Sequence, residues 1–157
     1  MEHSKISGVT MDANIARVAL IGLRDEPGVA FKVFRALANA KINVDIILQS
    51  IGRDNTKDIS FTVASGDMSL AESALLEHKE SLGFTDMSVD SNIAKVSIVG
   101  AGMMSASGVA ALMFEALYDA KINIEMISTS EIKISVLVSK DEADRAVSAI
   151  HSKFFDN

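Results

Sequence analysis

Apolar residues recur along this chain with the spacing of strands and helices, and the same pattern occurs twice. Ile15–Gly22 reads IARVALIG, and Ile93–Gly100 reads IAKVSIVG at an offset of 78. Ala36–Ile47 (ALANAKINVDII) recurs as Ala116–Ile127 (ALYDAKINIEMI) at an offset of 80, so the loop after the first strand is slightly longer in the second copy. A repeat of this length is too long for a solenoid unit and long enough for a small module with its own core. The chain is therefore predicted to contain two copies of one fold.

Six elements are predicted in the first copy. Runs of β-branched and alternating apolar residues indicate strands, and apolar residues at helical spacing indicate helices. Pro27 suits the first turn of the first helix, and Ser69–Glu72 has the sequence of a capping box at the start of the second. The order β-α-β-β-α-β is the split ferredoxin-like arrangement of an α+β fold. The predicted strands cover residues 17–23, 44–50, 58–64 and 84–90, and the helices cover 27–40 and about 70–82.

The second copy repeats this order but ends without a fourth strand. Asp141 is the predicted cap of its last helix. The predicted strands cover residues 94–100, 123–130 and 133–139, and the helices cover about 108–120 and 141–153.

The missing strand has a counterpart at the start of the chain. Residues 7–12 (SGVTMD) precede the first repeat as residues 85–90 (TDMSVD) precede the second, at the same offset of 78. We infer that residues 7–12 complete the second sheet. The first module, 15–92, is then inserted in a second module made of 1–14 plus 93–157. The alternative is a plain tandem in which the second sheet keeps an open edge, a liability for pairing with other chains.

Composition narrows the function classes. The 157 residues are 48% hydrophobic and 23% charged, an ordinary globular balance. The net charge of −6, with no basic run, argues against nucleic acid as a partner. Cysteine is absent, and neither a signal peptide nor an apolar run long enough for a membrane span occurs, so a cytoplasmic location away from membranes is expected. Modules this small are marginally stable alone, which favours packing against each other or against a second chain.

The catalytic inventory is small. His3, His78 and His151 lack acidic or histidine neighbours at metal-ligand spacing, and no Walker, G-x-S-x-G or H-E-x-x-H motif occurs. Gly100-Ala101-Gly102 resembles half of a dinucleotide fingerprint, but it lacks the third glycine and the β-α-β crossover that such a site needs. A turn is expected there, and no catalytic residue, metal or cofactor is predicted.

The first candidate site is the turn from strand to helix. Asp25–Ala30 (DEPGVA) and its counterpart Ser105–Ala110 (SASGVA) both reach a helix through a glycine. A helix start exposes amide N–H groups at the positive end of the helix dipole, which can bind a carboxylate or phosphate. A plain helix start, with Gly28 allowing a tight approach, fits the spacing equally well.

The second candidate is the segment that enters the next strand. An Asn followed two positions later by an acid occurs after the same Ala-Lys-Ile in both copies, as Asn43-Val44-Asp45 and Asn123-Ile124-Glu125. The acid could hold an ammonium group while the helix start holds a carboxylate, and together these describe a free α-amino acid. Alternatively, the asparagines are turn residues with left-handed backbone geometry. Polar residues that indicate either a pocket or a solvated strand end follow at Gln49, Ser50, Thr129, Ser130 and Glu131.

These residues carry a family resemblance. The D-E-P-G turn, followed by K-I-N-V-D at the second strand, is similar to an ACT domain. The pair, with VSIVGAGM, ALYDAKINIEMIS and STSEIKISVLV, resembles the regulatory half of aspartokinase from about Ser7 to Phe155. The catalytic amino-acid kinase domain is missing, which fits either a separate small regulatory subunit or a piece of a longer chain.

The resemblance implies feedback control: threonine, lysine or both bind between ACT domains and inhibit the kinase. It implies no enzyme activity for this chain alone, and it implies as partners the effector, a catalytic aspartokinase chain and a second copy in a homodimer. Ser107-Gly108 replaces Pro27-Gly28 in the second copy, which leaves open whether that copy has a competent site. The residues assigned to the first pocket are Asp25, Gly28, Val29, Ala30, Asn43, Val44, Asp45, Gln49 and Ser50. Those that would face a neighbouring module are Asn123, Ile124, Glu125, Thr129, Ser130 and Glu131.

Other functions fit parts of this pattern. An amino-acid sensor of another biosynthetic enzyme, such as homoserine dehydrogenase, keeps the same fold. An acylphosphatase-like hydrolase shares the element order, but it would need Arg24 or Arg35 to bind phosphate beside the acidic Asp25-Glu26. A nucleic-acid-binding sheet would need exposed aromatic residues on its strands, and the chain has seven Phe and one Tyr.

Overall fold

The computed structural model describes residues 8–100 and 107–156, apart from the side chain of Ser107. Contacts between Cα atoms divide the chain into two compact units. The first unit runs from Asn14 to Ser91, and the second joins the stretch ending at Ala13 to the stretch beginning at Asn92.

Each unit contains one four-stranded antiparallel sheet with helices packed on one face, so the predicted α+β class with two ferredoxin-like modules is confirmed. The sheet orders are β3-β4-β2-β5 in the first unit and β1-β6-β8-β7 in the second. In chain order the elements are β1 (Gly8–Asp12), β2 (Ile15–Arg24), α1 (Val29–Asn39), β3 (Val44–Ile51), β4 (Thr56–Ala64), α2 (Met68–Glu77), α3 (Lys79–Leu82), β5 (Asp86–Asp90), β6 (Ile93–Val99), α4 (Ser107–Asp119), β7 (Met126–Thr129), β8 (Lys133–Ser139) and α5 (Ala143–Phe155).

The core of the first unit lies between its sheet and its helices. Val18 and Leu20 of β2 pair with Phe61 and Ile59 of β4, and all four side chains are buried. Because side chains alternate between the two faces of a strand, this register assigns the odd-numbered residues of β4 to the helix face. The same alternation determines which candidate site residues can reach helix α1.

Helix α1 begins at Val29, two residues later than the sequence pattern predicts. Gly28 caps it with φ 92° and ψ −10°, a left-handed conformation that glycine adopts without strain. Pro27 therefore precedes the cap and does not occupy the first helical position. A Cβ at Gly28 would have nothing within 4 Å, so the backbone conformation, and not a tight approach, favours glycine here.

The predicted capping box at Ser69–Glu72 is wrong. Ser65–Asp67 form a short 3-10 turn, and α2 already begins at Met68, so Ser69 lies inside the helix. The single helix predicted over 70–82 is also divided, because His78 (φ −107°, ψ 18°) leaves helical geometry between α2 and α3. Gly83, at φ 78°, then ends α3 in the left-handed conformation.

Strand β1 lies at the edge of the second sheet, beside β6. Thr10 is opposite Ser97 in this antiparallel pair, at the register that Ser88 takes opposite Ala19 in the first sheet. The interpretation that the first module is an insertion within the folding unit of the second stays a prediction, and a paired substitution that tests it is described in the Discussion.

Two boundaries in the second unit differ from the sequence prediction. Strand β7 covers only Met126–Thr129. Met126 is opposite Leu137 and β8 ends at Ser139, so Asn123 lies beyond the end of the strand that it would pair with. Asp141 lies in a 3-10 turn, Lys140–Glu142, and α5 begins after it at Ala143. Residues 101–106 lie outside the described residues. They include Ala101-Gly102 of the predicted turn and Ser105-Ala106, which begin the second-copy counterpart of DEPGVA.

Candidate functional site

The turn between β2 and α1 is shaped by a bulge at the end of β2. The register between β2 and β4 shifts between Leu20 and Leu23, and Gly22 at φ 77° lies within this shift. The Gly22 amide donates to Asp58 Oδ1 at 2.9 Å. A Cβ on Gly22 would lie 2.4 Å from Thr85 Oγ1, so both the conformation and the space at this position require glycine. The bulge sets the direction in which the chain leaves the sheet toward Asp25.

Asp25 is held by the hairpin that joins β3 to β4. Its amide donates to the Asn55 carbonyl at 2.9 Å, and its Oδ1 lies 3.7 Å from Lys57 Nζ. The Asp25 side chain is 55% exposed, whereas the Lys57 side chain is only 13% exposed. The carboxylate thus has a fixed base on one side and solvent on the other.

Lys57 was not among the residues predicted from the sequence. It pairs with buried Leu23 of β2, and it precedes Ile59 and Phe61 on the helix face of β4. Its aliphatic stem therefore runs along the edge of the core while its ammonium reaches the turn before α1. The alternation of apolar residues in β4 could have identified Lys57, because it occupies a position at which this pattern predicts an apolar residue.

Gln49 and Ser50 of β3 point to opposite faces of the sheet. Gln49 pairs with Ile59 on the helix face, whereas Ser50 pairs with Asp58 on the other face. Both side chains are exposed on an edge strand. Of the two, Gln49 is therefore on the side of the sheet where α1 begins.

The turn before α1, together with Lys57 beside it, forms what we call the α1 surface. It lies at the end of the first sheet at which β2 finishes and β4 begins, and its members are Asp25, Gly28, Ala30 and Lys57, with Val29 buried beneath them. Gln49 is on the same face of the sheet, but on β3, which β4 separates from β2.

The structure does not bring Asn43, Val44 and Asp45 to the α1 surface. Val44 pairs with Val63 at one end of β3, and Ile51 pairs with Lys57 at the other end. With about 3.3 Å of rise per residue, the two ends are about 20 Å apart, farther than one free amino acid can span. Asp45 and the start of α1 therefore cannot bind the two ends of one free amino acid within this unit.

The asparagines do not take the left-handed geometry considered for them. Positive φ angles occur two residues earlier, at Lys41 (61°) and Lys121 (60°). Asn43 and Asn123 are both exposed just after these turns. Their side chains are thus presented on the surface of each unit at an equivalent position.

The second-unit candidates lie in two groups, one at each end of β7. Asn123, Ile124 and Glu125 precede β7, and the Glu125 amide donates to the Leu137 carbonyl at 2.8 Å. Ile124 is half-buried against the second core. The remaining three, at the far end of β7 and in the turn after it, are all exposed: Thr129, Ser130 and Glu131.

A cavity of about 480 Å³ lies near the bulge but contains none of the predicted site residues. Asp58, partly buried, is the acid that lines it, and Arg53 is the base. The full lining is Ile21, Gly22, Ile51, Gly52, Arg53, Thr56, Asp58 and Thr85.

His78, His151 and Arg35 make structural contacts. His78 Nδ1 donates to the Ala74 carbonyl at 3.0 Å, and the His151 ring lies 4.7 Å from that of Phe155. The guanidinium of Arg35, one of the two candidates for the arginine of a phosphate-binding hydrolase, lies 5.4 Å from the Phe31 ring centroid. Within residues 8–100 and 107–156, no cluster of His, Cys, Asp or Glu could hold a metal ion. In the same stretches no helix has the length and apolar character to cross a membrane.

Comparison with known proteins gives a consistent assignment. The ACT domain family model matches residues 18–78 and 96–154. The aspartokinase of Corynebacterium efficiens is 45% identical over 156 residues, which are 98% of this chain and 37% of that protein. The chain thus spans about 37% of the length of that relative.

Solved structures extend this result to separate regulatory subunits. The ligand-free regulatory subunit of aspartate kinase from Thermus thermophilus is 40% identical, with a TM-score of 0.90 over 96% of this chain and 99% of that one. E. coli aspartokinase III in complex with lysine and aspartate, in its T-state, is 26% identical, with a TM-score of 0.75 over 96% of this chain and 33% of that one.

Proposed function

Because the chain belongs to the ACT-domain family, as the regulatory part of an aspartokinase, we propose that it binds a free amino acid and thereby regulates a catalytic aspartokinase chain. The observation that carries this proposal is the agreement over nearly the whole length of a regulatory subunit. The proposal assigns the chain to the cytoplasm, where the enzymes and effectors of amino-acid synthesis meet.

The α1 surface supplies groups that match a free amino acid. The amides of the first turn of α1 lie at the positive end of its dipole and suit the α-carboxylate. Asp25, fixed by Lys57 and by the Asn55 carbonyl, offers an exposed carboxylate for the ammonium group. Gln49 adds an amide that can donate and accept hydrogen bonds.

The other candidates suit the opposite side of such a ligand. Asn43–Asp45 and Asn123–Glu125 present an amide and an acid at equivalent places on the two units, and within the first unit Asn43–Asp45 lies at the other end of β3 from the start of β4. We infer that a neighbouring module supplies one of these segments, so that the effector is held between modules. Regulation then follows as a population shift, limited by the difference in the effector's affinity for the two arrangements of modules.

Titration calorimetry of the isolated chain should give heat with threonine, lysine or both at millimolar concentration. Bound effector should also raise the melting temperature, since a ligand at 100 times its dissociation constant adds about 2.7 kcal/mol to the free energy of unfolding. Alanine and aspartate at the same concentration are the controls for a general solute effect. Absence of heat and of any thermal shift with both threonine and lysine would contradict the proposal.

A homodimer is expected in solution, because the edge strand β3 exposes apolar side chains. Ile47, Leu48 and Ile51 are 50%, 39% and 92% exposed on a strand that pairs on one side only, with β4. An open edge of this kind favours pairing with another chain. Light scattering at micromolar concentration should give about twice 16.7 kDa. A monomer mass there, with and without effector, would exclude the dimer.

A further inference from the structure

The α1 surface contains a cation as well as its acid, and the cation is the more buried of the two. Lys57 keeps 13% of its side chain exposed, and its Nζ lies 3.7 Å from Asp25 Oδ1. A lysine near the start of a helix faces the positive end of the helix dipole, where an acid would be the favoured residue. The combined charge of the helix start and Lys57 is therefore positive, and Asp25 offsets part of it.

This balance of charge should affect the binding of neutral and of cationic amino acids differently. An effector with a neutral side chain brings one ammonium group, for which the exposed side of Asp25 is available. An effector lysine brings a second ammonium group, and the Asp25 carboxylate that would bind it is already paired with Lys57. Glu26, the other acid of the turn, is exposed like Asp25, but no ion pair within the described part of the chain holds its side chain in position, so it replaces Asp25 poorly.

We propose that Lys57 is a specificity-determining residue that makes the α1 surface select amino acids with a neutral polar side chain, of the threonine class, and reject lysine. The proposal rests on the proposed function, because it requires that an amino acid binds at this surface. Lys57 acts through charge: its ammonium repels a second cation and occupies the inner side of the carboxylate that the cation would need. Repulsion between unit charges several ångströms apart near a protein surface is large enough to change affinity by about tenfold or more.

The test measures threonine and lysine affinities of the full chain by titration calorimetry, for the wild type, Lys57→Met and Lys57→Arg. Methionine keeps the apolar stem along the core edge and removes the charge, whereas arginine keeps the charge. The wild type should bind threonine at least about tenfold more tightly than lysine. Lys57→Met should raise lysine affinity by about tenfold, with threonine affinity changed by less than about threefold, and Lys57→Arg should keep the wild-type ratio. In Lys57→Met/Asp25→Asn the gain for lysine should disappear.

The outcomes separate this proposal from the proposed function. If the wild type binds neither amino acid, the proposed function fails, and the specificity role fails with it. If threonine binds and Lys57→Met leaves the ratio of affinities unchanged, only the role of Lys57 is overturned; wild-type lysine affinity equal to that for threonine does the same. Melting temperatures identify variants that are folded, and Lys57→Gln replaces Lys57→Met if the latter does not fold.

Discussion

Replacing Asp25 by alanine is expected to weaken effector binding by about ten- to a hundredfold. Asp25 is the carboxylate that the hairpin fixes beside the start of α1, through a hydrogen bond of 2.9 Å from its amide to the Asn55 carbonyl and an ion pair with Lys57. A hydrogen bond to a charged group contributes about 1.5–3 kcal/mol, which gives the expected loss. Asp25→Asn should cost less, since it keeps an acceptor oxygen. The measurement is the dissociation constant for threonine and for lysine by calorimetry.

Glu26→Ala is the matched control, because it removes the same charge from the adjacent exposed position, where no ion pair with Lys57 holds the carboxylate. It should change the dissociation constant by less than about threefold, as a solvated charge contributes little.

Asp45→Ala, at the other end of β3, tests whether a neighbouring module completes the site. We expect it to weaken binding as well, because Asn43–Asp45 is one of the two segments proposed to face the ligand. A dissociation constant unaffected by Asp25→Ala, with the melting temperature unchanged, removes Asp25 from the site.

The second large effect concerns which sheet each edge strand stabilises. Val9 of β1 and Met87 of β5 occupy equivalent positions in the two sheets, and each packs half-buried against a different core. Val9→Asp should lower the free energy of unfolding of the second unit by roughly 2–3 kcal/mol, because a carboxylate replaces an apolar group at the core edge. Amide hydrogen exchange should then accelerate in residues 93–156 and stay slow in residues 15–90.

Met87→Asp should produce the opposite distribution, with faster exchange in the first unit. Thr10→Asp places the same charge at an exposed position of β1 and should be close to neutral. If Val9→Asp accelerates exchange equally in both units, they do not unfold separately. The interpretation of the first module as an inserted folding unit would then be abandoned.

The internal repeat made most of the fold predictable. Strands and helices with strong periodicity, such as β2 and α1, lie within two residues of the predicted ranges. The errors occur where tertiary bonds override local sequence. The Ser65 amide donates to the Asn14 carbonyl at 2.9 Å, and the 3-10 turn that this bond accompanies starts the next helix before Ser69. A four-residue capping pattern contains no information about that partner.

The candidate site residues stay predictions. The turn chemistry indicated Asp25 and Gly28, which lie in the turn before α1, and the polar Gln49 was indicated on the apolar strand β3, where it lies on the helix face of the sheet. Asp45 was grouped with them because the sequence gives the order of the elements but not which end of β3 meets the start of α1. The register of β3 with β4 supplies that information.

Strand β1 is made long before the strand that it pairs with. Asp12 ends β1 and Ile93 begins β6, so the whole first unit must be translated in between. At a translation rate of about 5–20 residues per second, roughly 80 residues take on the order of 4–16 s, and β1 stays without its partner strand for that time. The first unit can fold on the nascent chain during this interval, and the charge of Asp12 at the end of β1 disfavours pairing with other nascent strands until β6 emerges.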